Sequence, residues 1–282
     1  MKRTLCSLLA IIVTAAASAF AQKPAVVTTP AQTPPTASSP SPTAIPNDSE
    51  NAKRAKALLD QMLRALGGDA YLNYQTREEV GRSYRFYHGN PSGTGVMFWR
   101  YWKYPDKDRM ELTKQRDWIV IYNGNQAWET TYKGTSMLDP DDLKEYLQRR
   151  EYSNEAVLRR WLKAPGTALF YEGLTIAESK PAEKITIMDA QNRGVSYYVS
   201  TDSHLPIKKS YTVRDETGER TEEDEVYDNY RLLQGIQSPL SWAWFRNGEM
   251  YRQRFLNTVT YNAPQPDGRF NAGPINYNPL KK

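Results

Sequence analysis

Cysteine is nearly missing from this chain: one occurs in 282 residues, at position 6. Its surroundings explain it. Lys2 and Arg3 form a positive n-region, Leu5 to Ala17 is apolar apart from Cys6, Ser7 and Thr14, and Ala19-Phe20-Ala21 is a small-x-small cleavage site before Gln22. The stretch falls short of the roughly 20 strongly apolar residues that a membrane span needs. Residues 1–21 therefore read as a secretory signal peptide. A lipid-attachment cysteine follows the apolar core, whereas Cys6 precedes most of it. The expected mature chain is exported to the periplasm, unlipidated and free of cysteine, so its core alone holds it together without disulfides.

Histidine is almost as scarce, with His88 and His204 the two present. Two separated histidines and no cysteine leave little for a zinc site. Gly93-Thr94-Gly95 reads as a turn and no Gly-rich phosphate loop is seen, so neither metal nor cofactor is expected. Ser200-Thr201-Asp202-Ser203-His204 offers serine, aspartate and histidine, but catalytic triads converge from separate elements, and this stretch reads as a turn before Leu205-Pro206. No catalytic residue is assigned, and the chain is not expected to be an enzyme. A block of one charge sign is lacking too. The net charge of +5 falls to about +3 without Lys2 and Arg3, and Lys and Arg alternate with acids, which argues against nucleic acid. The run Glu222-Glu223-Asp224-Glu225 is the exception. Strand neighbours alternate faces, so the run reads as a solvated strand face that discourages edge pairing, not as the carboxylates of a glycosidase held apart across a cleft.

Aromatic residues are plentiful: 19 Tyr, 7 Trp and 7 Phe. They begin in earnest after residues 22–48, a Pro/Thr/Ser/Ala tract too poor in large apolar side chains to offset its ordering entropy. That tract reads as an extended, disordered linker. The domain, residues 49–282, opens with Ser49 as cap of a helix to Leu66, stopped by Gly67-Gly68. Ala55, Leu58, Leu59, Met62, Leu63 and Leu66 make one apolar stripe on it. Strand-like runs follow over 77–87, 96–103, 109–113, 117–122 and 126–132, with Asn123-Gly124 predicting a two-residue type I′ hairpin. Asp139-Pro140 opens a helical stretch to about 163. Strands resume at 185–188, 195–200, 207–213, 221–232, 240–245 and 250–261, with Asn247-Gly248 in the last turn. About ten to eleven strands joined by hairpins predict an α+β, mainly β domain with an antiparallel sheet.

Several of these segments carry a family likeness. The helix Ala57-Leu58-Leu59-Asp60-Gln61-Met62-Leu63-Arg64-Ala65-Leu66 ends in Gly67-Gly68; Ile121-Tyr122-Asn123-Gly124 precedes Ala127-Trp128; Tyr197-Tyr198-Val199-Ser200 runs into Thr201-Asp202 and then Leu205-Pro206-Ile207-Lys208. Val226-Tyr227-Asp228-Asn229-Tyr230-Arg231, Gly235-Ile236-Gln237-Ser238-Pro239 and the Phe245-Arg246-Asn247-Gly248-Glu249 hairpin complete the set. In this order, over about residues 55–270, the chain resembles the LolA-like periplasmic lipoprotein-carrier superfamily, which includes the outer-membrane lipoprotein-sorting proteins. The resemblance implies a curved antiparallel sheet, a half-barrel, with helices covering its concave face and acyl chains held between them. It also implies a basic residue that tunes lid opening, for which Arg100 and Arg109 are the candidates.

Hydrophobic-ligand residues are expected among the aromatics: Trp99, Tyr101, Trp118, Trp128, Tyr198, Trp242 and Trp244 as cavity lining and Trp161 as lid. The same side chains also fit ordinary core packing beneath the helices, which large aromatics dominate in many curved sheets. Helices at 50–66 and 139–163 would part to admit lipid or lipoprotein acyl chains, each buried methylene contributing roughly 0.8 kcal/mol. A monomer is expected, with brief contact to anionic membrane surfaces or envelope proteins. Two further readings stay open at this point: an envelope interaction scaffold, and a hydrolase acting on envelope glycans or lipids.

Overall fold

Helix α1 (Glu50–Leu66) starts where the side chain of Ser49 accepts a hydrogen bond from the Ala52 amide at 3.2 Å. It ends at Gly67, whose φ of 125° favours glycine, and a Cβ there would meet the Gly235 carbonyl oxygen at 2.3 Å. A computed structural model describes residues 49–215 and 217–277, within the unit Ala44–Lys282. The expected signal peptide and linker lie outside the described residues.

After a single-turn helix α2 (Asp69–Asn73), the chain forms β1 (Thr76–Tyr87), β2 (Asn90–Pro91), β3 (Val96–Lys103), β4 (Lys107–Leu112), β5 (Trp118–Asn123), β6 (Gln126–Thr131) and β7 (Gly134–Met137). Helices α3 (Pro140–Glu151) and α4 (Asn154–Arg159) and a 3-10 turn at Trp161–Lys163 follow. The second meander is β8 (Ala168–Ala177), β9 (Lys180–Met188), β10 (Gly194–Ser200), β11 (Pro206–Arg214), β12 (Arg220–Leu233), β13 (Ile236–Arg246) and β14 (Glu249–Tyr261). The strands make one open, curved antiparallel sheet, not closed into a barrel, in the order β7-β6-β5-β4-β3-β1-β14-β13-β12-β11-β10-β9-β8, with β2 paired to β1. The two meanders are thus joined through β1 and β14, and the α3–α4 segment passes from one edge strand to the other.

Among the described residues fourteen strands stand where ten or eleven were expected; the additional ones are β2, β7 and β8. The β5–β6 hairpin also differs. Asn123 pairs with Gln126, so Gly124 and Asn125 are the central residues, and Gly124 alone has a positive φ, as at the first position of a type II′ turn. Asn247-Gly248, with φ 50° and 79°, does form the two-residue turn of the type I′ kind between β13 and β14.

Cross-strand partners share a face, so the register divides the sheet. Leu58, Leu59 and Met62 of α1 and Val157, Leu158 and Trp161 of the second helical segment pack on Ile185, Ile187, Val195, Tyr197, Val199 and Tyr211 of β9–β11. Burying each such aliphatic side chain stabilises the fold by roughly 1.5–3 kcal/mol. This is the inner face. A second cluster on the same face joins Tyr74 to Phe98, Trp102, Ile236, Leu256, Val259 and Tyr261. The outer face of β3–β5 is covered by the C-terminal segment, where Phe270 is fully buried, Asp267 binds Lys103 and Lys107, and Arg269 lies 4.2 Å from the Tyr101 ring centroid.

Candidate functional site: the inner face of the sheet

Between its two apolar clusters the inner face is built from charge. Arg77 on β1 lies opposite Trp102 and Tyr261, and Glu79 opposite Arg100 and Val259. Arg77 binds Glu79 at 2.8 Å and reaches Glu155 on α4 at 2.9 Å. Arg100 bridges Glu79 at 3.3 Å and Asp108 at 2.7 Å. Burial pushes the Glu155 carboxyl up, but Arg77, the Tyr74 hydroxyl and Arg159 outweigh it and hold the group down at about 2. Glu79 is depressed in the same way: burial opposes, and Arg77, Arg100 and Arg254 prevail. Arg159 anchors α4 from the other side by donating to the Tyr74 and Tyr71 carbonyls at 2.7 and 2.6 Å.

Helix α3 covers the neighbouring part of this face without burying a single residue. Hydrogen bonds, ion pairs and a ring stack fasten it. The Tyr146 ring stacks on Tyr122 at 3.5 Å between centroids, and its hydroxyl donates to Asp108 at 3.2 Å. Glu145 accepts from Arg246 at 2.8 Å, while Arg150 donates to the Gly124 carbonyl at 2.6 Å. Contacts of this sort exchange readily for water, each with a net worth near 1 kcal/mol or less.

Across β13 and β14 the inner face is aromatic and cationic. Trp242 and Trp244 of β13 lie opposite Arg254 and Arg252 of β14. The guanidinium carbons of Arg252 and Arg254 stand 4.9 and 5.5 Å from the Trp244 ring, and Arg254 also lies 4.9 Å from Phe98. A small void of about 10 Å³ is lined by Glu79, Arg100, Trp242, Trp244, Arg254 and Leu256; it has room for about one water. A larger cleft of about 760 Å³ adjoins the ends of β9–β12 and is mainly polar, with Glu151, Lys184, Arg193 and Glu222 in its wall.

The register scatters the aromatic candidates. Trp118, Trp161, Trp242 and Trp244 are on the inner face, whereas Trp99, Tyr101, Trp128 and Tyr198 follow the register of the outer one. Trp242 and Trp244 are the two of the eight that line the void. Trp161 is buried in the main core, beside Tyr152 at 5.7 Å. Trp118 donates to Glu129 at 2.6 Å. Of the basic candidates, Arg100 is on the inner face and Arg109 on the outer, bound to Glu111. The acidic run is not a solvated face: Glu223, Asp224 and Glu225 are buried and paired with Arg246, Lys208 and Lys209 on the flanking strands. Sequence reasoning missed Arg252 and Arg254. Their i, i+2 spacing on a strand of alternating pattern was the available signal.

Three solved structures are similar to this chain. A DUF1329 family protein from Desulfovibrio piger is 13% identical with a TM-score of 0.53, over 77% of this chain and 97% of that one. A domain from Vibrio parahaemolyticus, assigned as an outer-membrane lipoprotein-sorting protein, is 8% identical with a TM-score of 0.54, over 78% and 97%. The fold is LolA-like. A LolA superfamily protein from Nitrosomonas europaea gives 11% identity and a TM-score of 0.47, over 77% and 97%. At such identities the LolA-like likeness is one of fold, and the first two structures establish it. No protein-family model matches the chain, and no curated protein does.

Proposed function

We propose that the protein is an exported carrier of a hydrophobic ligand, a lipid or a lipoprotein acyl chain, in the cell envelope. The observation that carries this reading is α3. It covers the inner face from Tyr122 and Asp108 to Arg246, yet it is fastened by hydrogen bonds, an ion pair and one ring stack, with none of its residues fully buried. A roof of that kind lifts at low cost, because its polar groups are re-solvated when it opens. Helices α1 and α4 hold apolar core positions and form the fixed part. Lifting α3 would bring Trp244, Trp242 and Phe98 within reach of acyl chains, each buried methylene adding roughly 0.8 kcal/mol. The ligand is carried non-covalently, and no catalytic role is assigned.

The test uses the expected absence of cysteine after residue 21. Cysteines replacing Tyr122 and Tyr146 are joined by a short thiol cross-linker, and uptake of a fluorescent fatty acid is measured before and after. Cross-linking should abolish uptake, and a cleavable linker should restore it on reduction. Unchanged uptake in the cross-linked protein would remove α3 as the lid. Native mass spectrometry of residues 22–282 from a detergent-free periplasmic extract tests the carrier role itself: bound lipid mass is expected, and an apo protein that also refuses added lipid overturns it.

A further inference from the structure

The inner face holds more cation than its own carboxylates occupy. Arg77 and Arg100 each sit between two acids. Arg252 and Arg254 do not: the Nε atoms of both are buried with no hydrogen-bond partner among the described residues. Arg254, 9% exposed, has its terminal nitrogen 3.6 Å from the Met110 sulfur. Arg252 has the Tyr251 side chain beside it. The acids within electrostatic reach are engaged elsewhere. Glu79 serves Arg77 and Arg100, Asp108 serves Arg100, and Glu145 serves Arg149 and Arg246. Stacking on Trp244 removes water from both guanidinium groups without neutralising either.

A buried cation without a counter-charge is costly, and burial with the neighbouring Arg252 and Arg100 pushes the Arg254 guanidinium down to about 9, against the pull of Glu79 and Asp108. A planar fork of donors matches a carboxylate or phosphate oxygen pair. The void against Arg254 lies beside the same aromatic floor that the carrier reading assigns to acyl chains.

We propose that Arg252 and Arg254 form an anion site that takes the carboxylate or phosphate head of an amphiphile, whose tail lies along Trp242 and Trp244. The tail in this statement rests on the carrier function proposed above; the anion site does not. The site selects acid-headed ligands over neutral ones of the same chain length, and its affinity falls with salt.

The experiment compares cis-parinaric acid, its methyl ester and inorganic phosphate on the mature protein, by probe fluorescence and by titration calorimetry. The acid should bind on the order of tenfold or more tightly than the ester, since a charge-assisted bond separates them. Arg254→Met should erase that preference, and Arg252→Gln should reduce it. Arg254→Met should unfold at or above the wild-type temperature, because it removes a buried charge that forms no ion pair of its own. Equal binding of acid and ester in the wild type would overturn the anion site while leaving the carrier. If neither parinaric probe binds but phosphate does, and Arg254→Met abolishes that, the site stands as one for a free oxyanion and the carrier reading fails. If no anion binds, the proposal is overturned.

Discussion

The side-chain amide of Asn51 is paired with the backbone of Tyr171 in both directions. Its Nδ2 donates to the Tyr171 carbonyl at 2.8 Å, and its Oδ1 accepts from the Tyr171 amide at 2.9 Å. Tyr171 lies on β8, an edge strand, so the first turn of α1 supplies what a further strand would supply there. The other edge is closed alike. On β7, the Thr135 amide donates to the Asn276 side chain at 2.7 Å, and the Asn276 amide donates to the Thr135 carbonyl at 3.0 Å. An open sheet has two edges to protect from pairing with other chains, and an asparagine guards each.

Removing that guard should show in association before it shows in stability. Asn51→Asp keeps the acceptor and loses the donor, placing a carboxylate against the Tyr171 carbonyl. The expected cost is about 1 kcal/mol, read as a lower urea midpoint, together with faster growth of light scattering on heating. Wild-type scattering kinetics in the variant would mean that the edge is protected by other means.

Stability should fall on the acid side through Glu155. Its folded-state value of about 2 lies below the ordinary carboxylate value, so the group stabilises the fold above the unfolded-state value near 4.5. That contribution, on the order of 3 kcal/mol, is lost as pH falls from about 5 to about 2. Depressed Glu79 adds to the same limb. Glu155→Gln should be less stable at pH 7 and show a flatter dependence over that interval. Parallel urea-midpoint curves for variant and wild type across that range would contradict the assignment.

What the sequence left unread follows from where the information sits. The stripe and caps of α1, the turn Asn247-Gly248 and the long strands are written within a dozen residues each, so local pattern finds them. Strand β8 is different. Its register shifts between Tyr171 and Gly173, and that irregularity breaks the alternation by which strands are recognised. The acidic run was misread for a related reason. Glu223, Asp224 and Glu225 are buried because Arg246, Lys208 and Lys209 lie on the adjoining strands, and register is not local. The same holds at the candidate site. Alternation could say that Trp242 and Trp244 share a face, but not that Arg252 and Arg254 lie opposite them.

Opening of α3 should be separable from global unfolding. Tyr146→Ala removes the stack on Tyr122 and the hydrogen bond to Asp108. Amide exchange across Pro140–Glu151 should quicken by roughly five- to tenfold, the equivalent of about 1 kcal/mol. Exchange in β10 and β11, within the main core, should stay as it was. An equal acceleration in both regions would show α3 to be part of the cooperative core.

Lys209 and Glu225 decide whether the charge on the inner face stabilises or only fixes geometry. Lys209 is 0% exposed; its ammonium lies 2.9 Å from Glu225 and donates to the Tyr152 carbonyl at 2.8 Å, at the end of α3. Glu225 also accepts from the Tyr227 hydroxyl at 2.8 Å. Breaking a buried pair strands one charge and costs about 3–5 kcal/mol, whereas replacing both partners is close to neutral. Lys209→Met alone should therefore be severely destabilising. Adding Glu225→Gln, which keeps an acceptor for Tyr227, should recover at least half of the loss. A double-mutant cycle in urea reads the coupling directly, and strict additivity of the two costs would show that the pair is not a unit. Recovery would mean that the ion pair positions β11 against α3 instead of holding the sheet together, as expected of a face whose charges orient a movable roof.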